Sequence, residues 1–121
     1  MATPVVGGGE RYVAKKILSL ADAETQSVVV PAAANAARIQ PQLFDNPDAI
    51  LLLMRDGTPT LTNNELMLGS GEVCMDCFRQ SGSIGFRLVD ASTGADVTGG
   101  DNDQIVVVFY TNIAGRRNGG A

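Results

Sequence analysis

Ile105-Val-Val-Val-Phe-Tyr110 is an unbroken run of β-branched and aromatic residues without a charge. Composition of that kind favours a strand, and a strand apolar on both faces needs cover on both. A second sheet of the same chain supplies one cover. In a chain of 121 residues the other is expected from another subunit. A partner strand precedes it: in Ile84-Gly-Phe-Arg-Leu-Val89, alternation places Ile84, Phe86 and Leu88 on one face. Residues 91–103, rich in Gly, Asp and Thr, form the polar loop between them. The pair predicts a β-sandwich whose outer surface associates.

Working back toward the start, Glu72–Phe78 reads as a strand with Val73, Met75 and Cys77 on one face. Gly69-Ser-Gly71 is a tight turn, and Leu66–Leu68 a short strand before it. Ile50–Met54 is a buried strand, followed by an Asp56-Gly57 turn and a loop over 61–64. Asp45-Asn-Pro-Asp48 is another turn. Arg38–Leu43 alternates, and Pro41 predicts an edge position because proline has no ladder donor. Gln26–Val30 is a β-branched run closed by Pro31. Tyr12–Leu20 fits a strand better than a short helix, since a polar turn at Asp22 follows. Ala32–Ala37 is too short for more than a turn of helix or a loop. The sum is about seven or eight strands at the spacing of sandwiches and small barrels. Residues 12–113 form the domain. Residues 1–11, with Pro4 and the triplet Gly7-Gly8-Gly9, read as a flexible N-terminal arm, and residues 114–121 as a flexible C-terminal tail.

Composition narrows the chemistry. Histidine is absent, which removes Ser-His-Asp and Cys-His catalysis and most zinc and iron sites. The net charge of −4 opposes a nucleic-acid surface, which needs clustered cations. Charged residues are 18%, below the usual quarter, as in surfaces partly hidden by assembly. There is no basic and apolar leader, and the longest apolar run, Ala49–Met54, is too short to span a bilayer. A reducing cytoplasm is expected, with both cysteines as thiols.

Four motifs remain. Cys74-Met-Asp-Cys77 is a CxxC, but it sits in a strand pattern instead of at a helix N-terminus, and no second ligand pair exists within one chain. Two small apolar side chains on opposite faces of a strand is the simpler reading. Asp96 and Asp101-Asn-Asp103 lack the glycine and closing glutamate of a calcium loop and read as a solvated hairpin loop. The glycine clusters lack the phosphate-loop pattern. Lys15-Lys16 and Arg116-Arg117 read as solvated faces, with an acidic partner as the alternative. No catalytic, metal or cofactor residue is assigned.

The order of pieces resembles a class of small bacteriophage virion proteins. The resemblance runs from Gln26-Ser-Val-Val-Val-Pro31 through Ala33-Ala-Asn-Ala-Ala-Arg-Ile-Gln-Pro-Gln42 and Leu51-Leu-Leu-Met-Arg-Asp-Gly57. It continues with Leu68-Gly-Ser-Gly-Glu72 and the Val-rich final run, and covers residues 24–112. It implies an all-β, jelly-roll-like antiparallel sandwich that sits in or on a virion assembled in the host cytoplasm. It implies no active site and no cofactor. The resulting expectation is a non-enzymatic capsid decoration (cement) subunit. Its partners would be the major capsid protein or other virion subunits, and it would form a homo-oligomer, a dimer or trimer, with neither nucleic acid nor membrane as partner. Pro4, Val5, Val6, Arg116 and Arg117 are the expected contact residues, on the two terminal segments. The rival expectations are a carbohydrate- or ligand-binding host-recognition module, which two Tyr, four Phe and no Trp equip poorly, and a head-tail or tail accessory protein.

Overall fold

A computed structural model describes residues 10–78 and 82–112. Among them there are eight strands and no helix. The strands are β1 (Glu10–Ser19), β2 (Thr25–Val29), β3 (Ala36–Leu43), β4 (Ala49–Arg55), β5 (Leu66–Gly69), β6 (Cys74–Cys77), β7 (Ser83–Asp90) and β8 (Asp103–Asn112). Glu10 and Arg11, placed in the arm by composition, open β1, opposite Asn112 and Thr111. The remainder of the expected arm and the whole expected tail, with Pro4, Val5, Val6, Arg116 and Arg117, lie outside the described residues.

The strands form two four-stranded sheets, β1-β8-β3-β6 and β2-β7-β4-β5. Every pairing is antiparallel. The order has a simple origin. β4 pairs with β5, β3 with β6, β2 with β7 and β1 with β8, so the chain is one long hairpin with β4–β5 at its tip. Rolling that hairpin brings β8 beside β3 and β7 beside β4. This is the jelly roll, an eight-stranded double sheet.

The core lies between the sheets. Ile84, Phe86 and Leu88 of β7 face Ile105, Val107 and Phe109 of β8, all fully buried. The alternation expected of both runs is therefore real. Leu51 and Leu53 of β4, Ile39 and Leu43 of β3, and Leu20 complete the layer. Burying one such side chain contributes about 1.5–3 kcal/mol, so these strands hold the sandwich together without a helix.

Two strands depart from expectation. β3 is interior, between β8 and β6, although Pro41 predicts an edge. The proline is tolerated because β6 is short and meets β3 only near Ala37 and Ile39. Beyond it the Gly71 N–H donates to the Pro41 carbonyl at 2.8 Å. The polar backbone side of Pro41 thus faces the 70–72 turn and away from β8, where a missing N–H would break the ladder. β6 is also shorter than Glu72–Phe78, because Asp76 and Phe78 have φ of 57° and 56°. Left-handed residues end regular pairing, and the register shifts between Ala37 and Ile39.

Candidate interaction surface

β4 is apolar on both faces, and the chain itself covers both. Leu51 and Leu53 enter the core, while Leu52 points to the outer side of the second sheet and is still 0% exposed. The cover is the loop over 56–65. Its neck is closed by Arg55 and Glu65, whose side chains meet at 2.7 Å, and the Glu65 carboxylate also accepts the Arg55 N–H at 2.6 Å. Asp56, with φ 54°, accepts the N–H groups of Gly82 and Ser83. Gly57 then lies directly on Gly85 of β7. A Cβ at Gly85 would fall 1.7 Å from the Gly57 carbonyl oxygen, so only glycine permits this approach. Further along, Arg87 Nε donates to the Pro59 carbonyl at 2.7 Å, and Arg87 Nη1 pairs with Asp96 at 3.0 Å. What stays open is a pocket of about 350 Å³ over Ile50, Leu52, Leu61, Met67 and Val89. Its rim is the 90–94 turn. There the Asp90 carboxylate accepts the Ser92 hydroxyl and the N–H groups of Ser92 and Thr93. Those bonds hold its pKa below the ordinary carboxylate value.

The outer face of the first sheet has no such cover among the described residues. Pairing places Ile17 beside Val106, Lys15 beside Val108, and Tyr12 beside Tyr110. Arg38 of β3 lies next to Val108. Tyr12, Ile17 and Met75 are 66%, 55% and 54% exposed, while Val106 and Val108 between them are half-buried. Exposed apolar side chains scattered singly need no explanation, but a contiguous set on one sheet face marks a contact surface. A shallow pocket of about 180 Å³ opens toward one end of it, lined by Glu10, Tyr12, Arg38, Val108 and Tyr110.

This face is rigid at one end. Tyr110 is buried although it points outward from the sheet. Its partner across the ladder is the small Ala36, which lets the ring lie over β3. The Tyr110 hydroxyl donates to the Asp76 carboxylate and accepts the Asp76 N–H at 3.0 Å. Arg38 caps the ring, with its guanidinium carbon 5.4 Å from the ring centre, and pairs with Glu10 at 3.2 Å. Burial, and then the hydrogen bond to Asp76, push the Tyr110 phenol above its ordinary value of 10.0. The hydroxyl therefore stays protonated and holds the left-handed Asp76 in place.

The remaining sequence motifs resolve into structure. Cys74 is half-buried against the core. The register shift sets Cys74 opposite Ile39 and Cys77 opposite Ala37, so the backbone between them is not the regular strand expected of the CxxC. Val73, like Met75, is exposed. The 96–103 segment is only partly a solvated loop. Asp103 is 1% exposed and accepts N–H groups from Asp45 and Gly100 and from the Asn46 amide. Burial pushes the Asp103 carboxyl up, but those hydrogen bonds outweigh it and hold the group below its ordinary value. Asp103 thus ties the 44–48 turn to the start of β8, and Asp96 serves Arg87. Among the described residues no three His, Cys, Asp or Glu side chains stand together as metal ligands, and no helix is long and apolar enough to cross a membrane.

Sequence reasoning placed the contact residues on the termini and did not single out Tyr12, Ile17, Met75, Arg38 and Tyr110. The signal for the face was the doubly apolar Ile105–Tyr110 run. Its other members come from three strands, and only the register brings them together. Comparison with protein-family models, with curated proteins and with solved structures finds no match.

Proposed function

We propose that this protein is a non-enzymatic structural subunit of the virion decoration type. On this reading it assembles in the host cytoplasm and adheres to a protein shell formed by the major capsid protein or other virion subunits. The observation that carries the reading is the contrast between two apolar sheet faces. The 56–65 loop closes one, and among the described residues the other is left open around Tyr12, Ile17, Val106, Val108 and Met75. An apolar face kept open in a chain this poor in charge favours docking on a protein surface. The jelly-roll strand order supports the reading more weakly. Viral capsid domains use it, but so do lectins, and a fold does not fix a function.

The test is a mass measurement in solution followed by co-sedimentation with isolated phage shells. The expected result is a dimer or trimer, or a monomer that sediments with shells. Val108→Glu and Met75→Glu should abolish that association while leaving a folded protein. A monomer that ignores shells, or association indifferent to both substitutions, removes the proposal.

One observation favours a second reading, a host-recognition module. The exposed Tyr12 ring beside Arg38 and Glu10 offers a small stacking platform with polar neighbours, as glycan sites do. A glycan array separates the two, because a shell subunit gives no saturable signal on it.

A further inference from the structure

The open edge of the first sheet carries a second kind of signal. β1 spans ten residues and, among the described strands, pairs with β8 alone. The Leu20 N–H donates to the Asp103 carbonyl at 2.9 Å. By the alternation of an antiparallel ladder, the N–H and C=O groups of Lys15, Ile17 and Ser19 then point away from β8. The Ser19 carbonyl accepts the Gln26 amide at 2.8 Å. The main-chain groups of Lys15 and Ile17 meet no partner strand among the described residues.

Charge along this edge is one-sided. Arg38, Arg55 and Arg87 each pair with a carboxylate of the chain. The other cations among the described residues are Arg11, Lys15 and Lys16. All three lie on β1, are exposed, and have no salt bridge to a described residue. Glu10, the acid on that strand, is engaged by Arg38. Among the described residues of this chain of net charge −4, the cations without a salt bridge thus gather on the open edge strand β1.

We propose that this edge receives an extended acidic segment of a partner protein, added as a fifth strand to the first sheet. The main-chain groups of Lys15 and Ile17 supply the ladder bonds, as in recognition by strand addition. Carboxylates of the segment lie against Arg11, Lys15 and Lys16. A second copy of β1 is the wrong occupant, because it brings its own three cations against these, and like charges directly opposite are destabilising. Lys16 also faces the core side of the sheet, opposite Val107, and the register slips between Tyr12 and Ala14. Edge lysines and bulges guard strands against uncontrolled pairing, and here the guard is selective by charge. The inference goes beyond docking by the outer face, since it names a different surface and the chemistry of its partner.

The test uses the full chain and a synthetic peptide of repeating Glu-Glu-Val-Val, which sets carboxylates on both faces of the added strand, ten residues long to match β1. Controls are the same peptide with Lys for Glu, and the Glu peptide methylated on alternate backbone nitrogens. The Glu peptide should bind, and amide exchange at Lys15 and Ile17 should slow by about tenfold or more. Binding should weaken by about tenfold when salt rises to where its screening length is only a few ångströms. Both control peptides should fail. The double substitution Lys15→Glu, Lys16→Glu should weaken binding by about tenfold or more, and Lys15→Gln, Lys16→Gln by less, which covers a folding defect in the reversal. Absence of binding at millimolar peptide, equal binding of the Lys peptide, or unchanged exchange at Lys15 and Ile17 overturns the proposal. Met75→Glu, which disables the outer face from β6 on the opposite edge of the sheet, should leave peptide binding intact, so the two surfaces fail separately.

Discussion

Both sheets carry apolar side chains on their outward faces, and the chain treats them differently. Over the second sheet it lays the 56–65 loop, pinned by the Gly57–Gly85 approach and by Arg87. Leu52 becomes as inaccessible as the residues between the sheets. Over the first sheet the described residues place one tyrosine locked by Asp76 and leave Tyr12, Ile17 and Met75 exposed. The two sheets are alike in strand number, so the difference lies in the connections. The long β4–β5 connection folds back across its own sheet. Apolar surface by itself therefore does not identify a contact surface. What matters is whether a neighbouring segment already covers it.

This contrast can be broken from the covered side first. Gly85→Val would drive a side chain into the Gly57 carbonyl and lift the loop. The expected loss is at least about 3 kcal/mol, at the upper end of overpacking costs, read from urea unfolding. A loss below about 1 kcal/mol would mean the loop does not rest on β7. Leu52→Ala should cost about 2–3 kcal/mol, the lower part of the range for buried leucine, because a loop collapses into a void more easily than a sheet does. A cost typical of exposed positions would show that the outer layer is no second core.

The open side should respond more gently. Tyr110→Phe removes the hydroxyl that bonds Asp76 and should cost about 1–2 kcal/mol. Its pH dependence gives a sharper check. The phenol is raised in the folded state, so its contribution is complete below the unfolded value of 10.0. It is lost as pH climbs past that value toward the raised one. Unfolding midpoints at about pH 9 and about pH 11 should therefore differ more in the parent than in Tyr110→Phe. Equal differences would place the alkaline loss elsewhere. Met75→Glu should change stability by less than about 0.5 kcal/mol, as exposed substitutions do, yet disrupt association measured by sedimentation. A clear loss of stability would mean that the face is part of the fold and no docking surface.

Much of the architecture was written in local pattern. The alternation of Ile84, Phe86 and Leu88, and the apolar run from Ile105 to Tyr110, predict two strands that share one core, and their inward side chains are buried together between the sheets. Ile50–Met54 reads as a buried strand, and its middle, Leu51 to Leu53, is fully buried. What local pattern could not carry was long-range placement. Pro41 reads as an edge residue, and only the shortness of β6 explains its interior strand. Cys74 and Cys77 read as part of one regular strand, and only the left-handed Asp76 between them, with the register shift opposite, interrupts that regularity. The outer face has the same character. Tyr12, Arg38 and Tyr110 are far apart in sequence, and no spacing rule links them before β1, β3 and β8 are in register. Asp103 reads as a solvated loop residue, and its burial follows from donors on the distant 44–48 turn.

The rolled-hairpin pairing also sets an order of events during synthesis. β1 leaves the ribosome first, yet its ladder partner is β8, with pairs such as Lys15 with Val108. β1 must wait, unpaired, until nearly the whole described chain has been made, while β4 and β5 can meet at once. Contacts so distant along the chain make folding slow. Once made, the uncharged Ile105–Tyr110 segment is an aggregation hazard until β1 and β3 enclose it. The lysines that keep β1 from the wrong strand in the finished protein would keep it soluble while it waits for the right one.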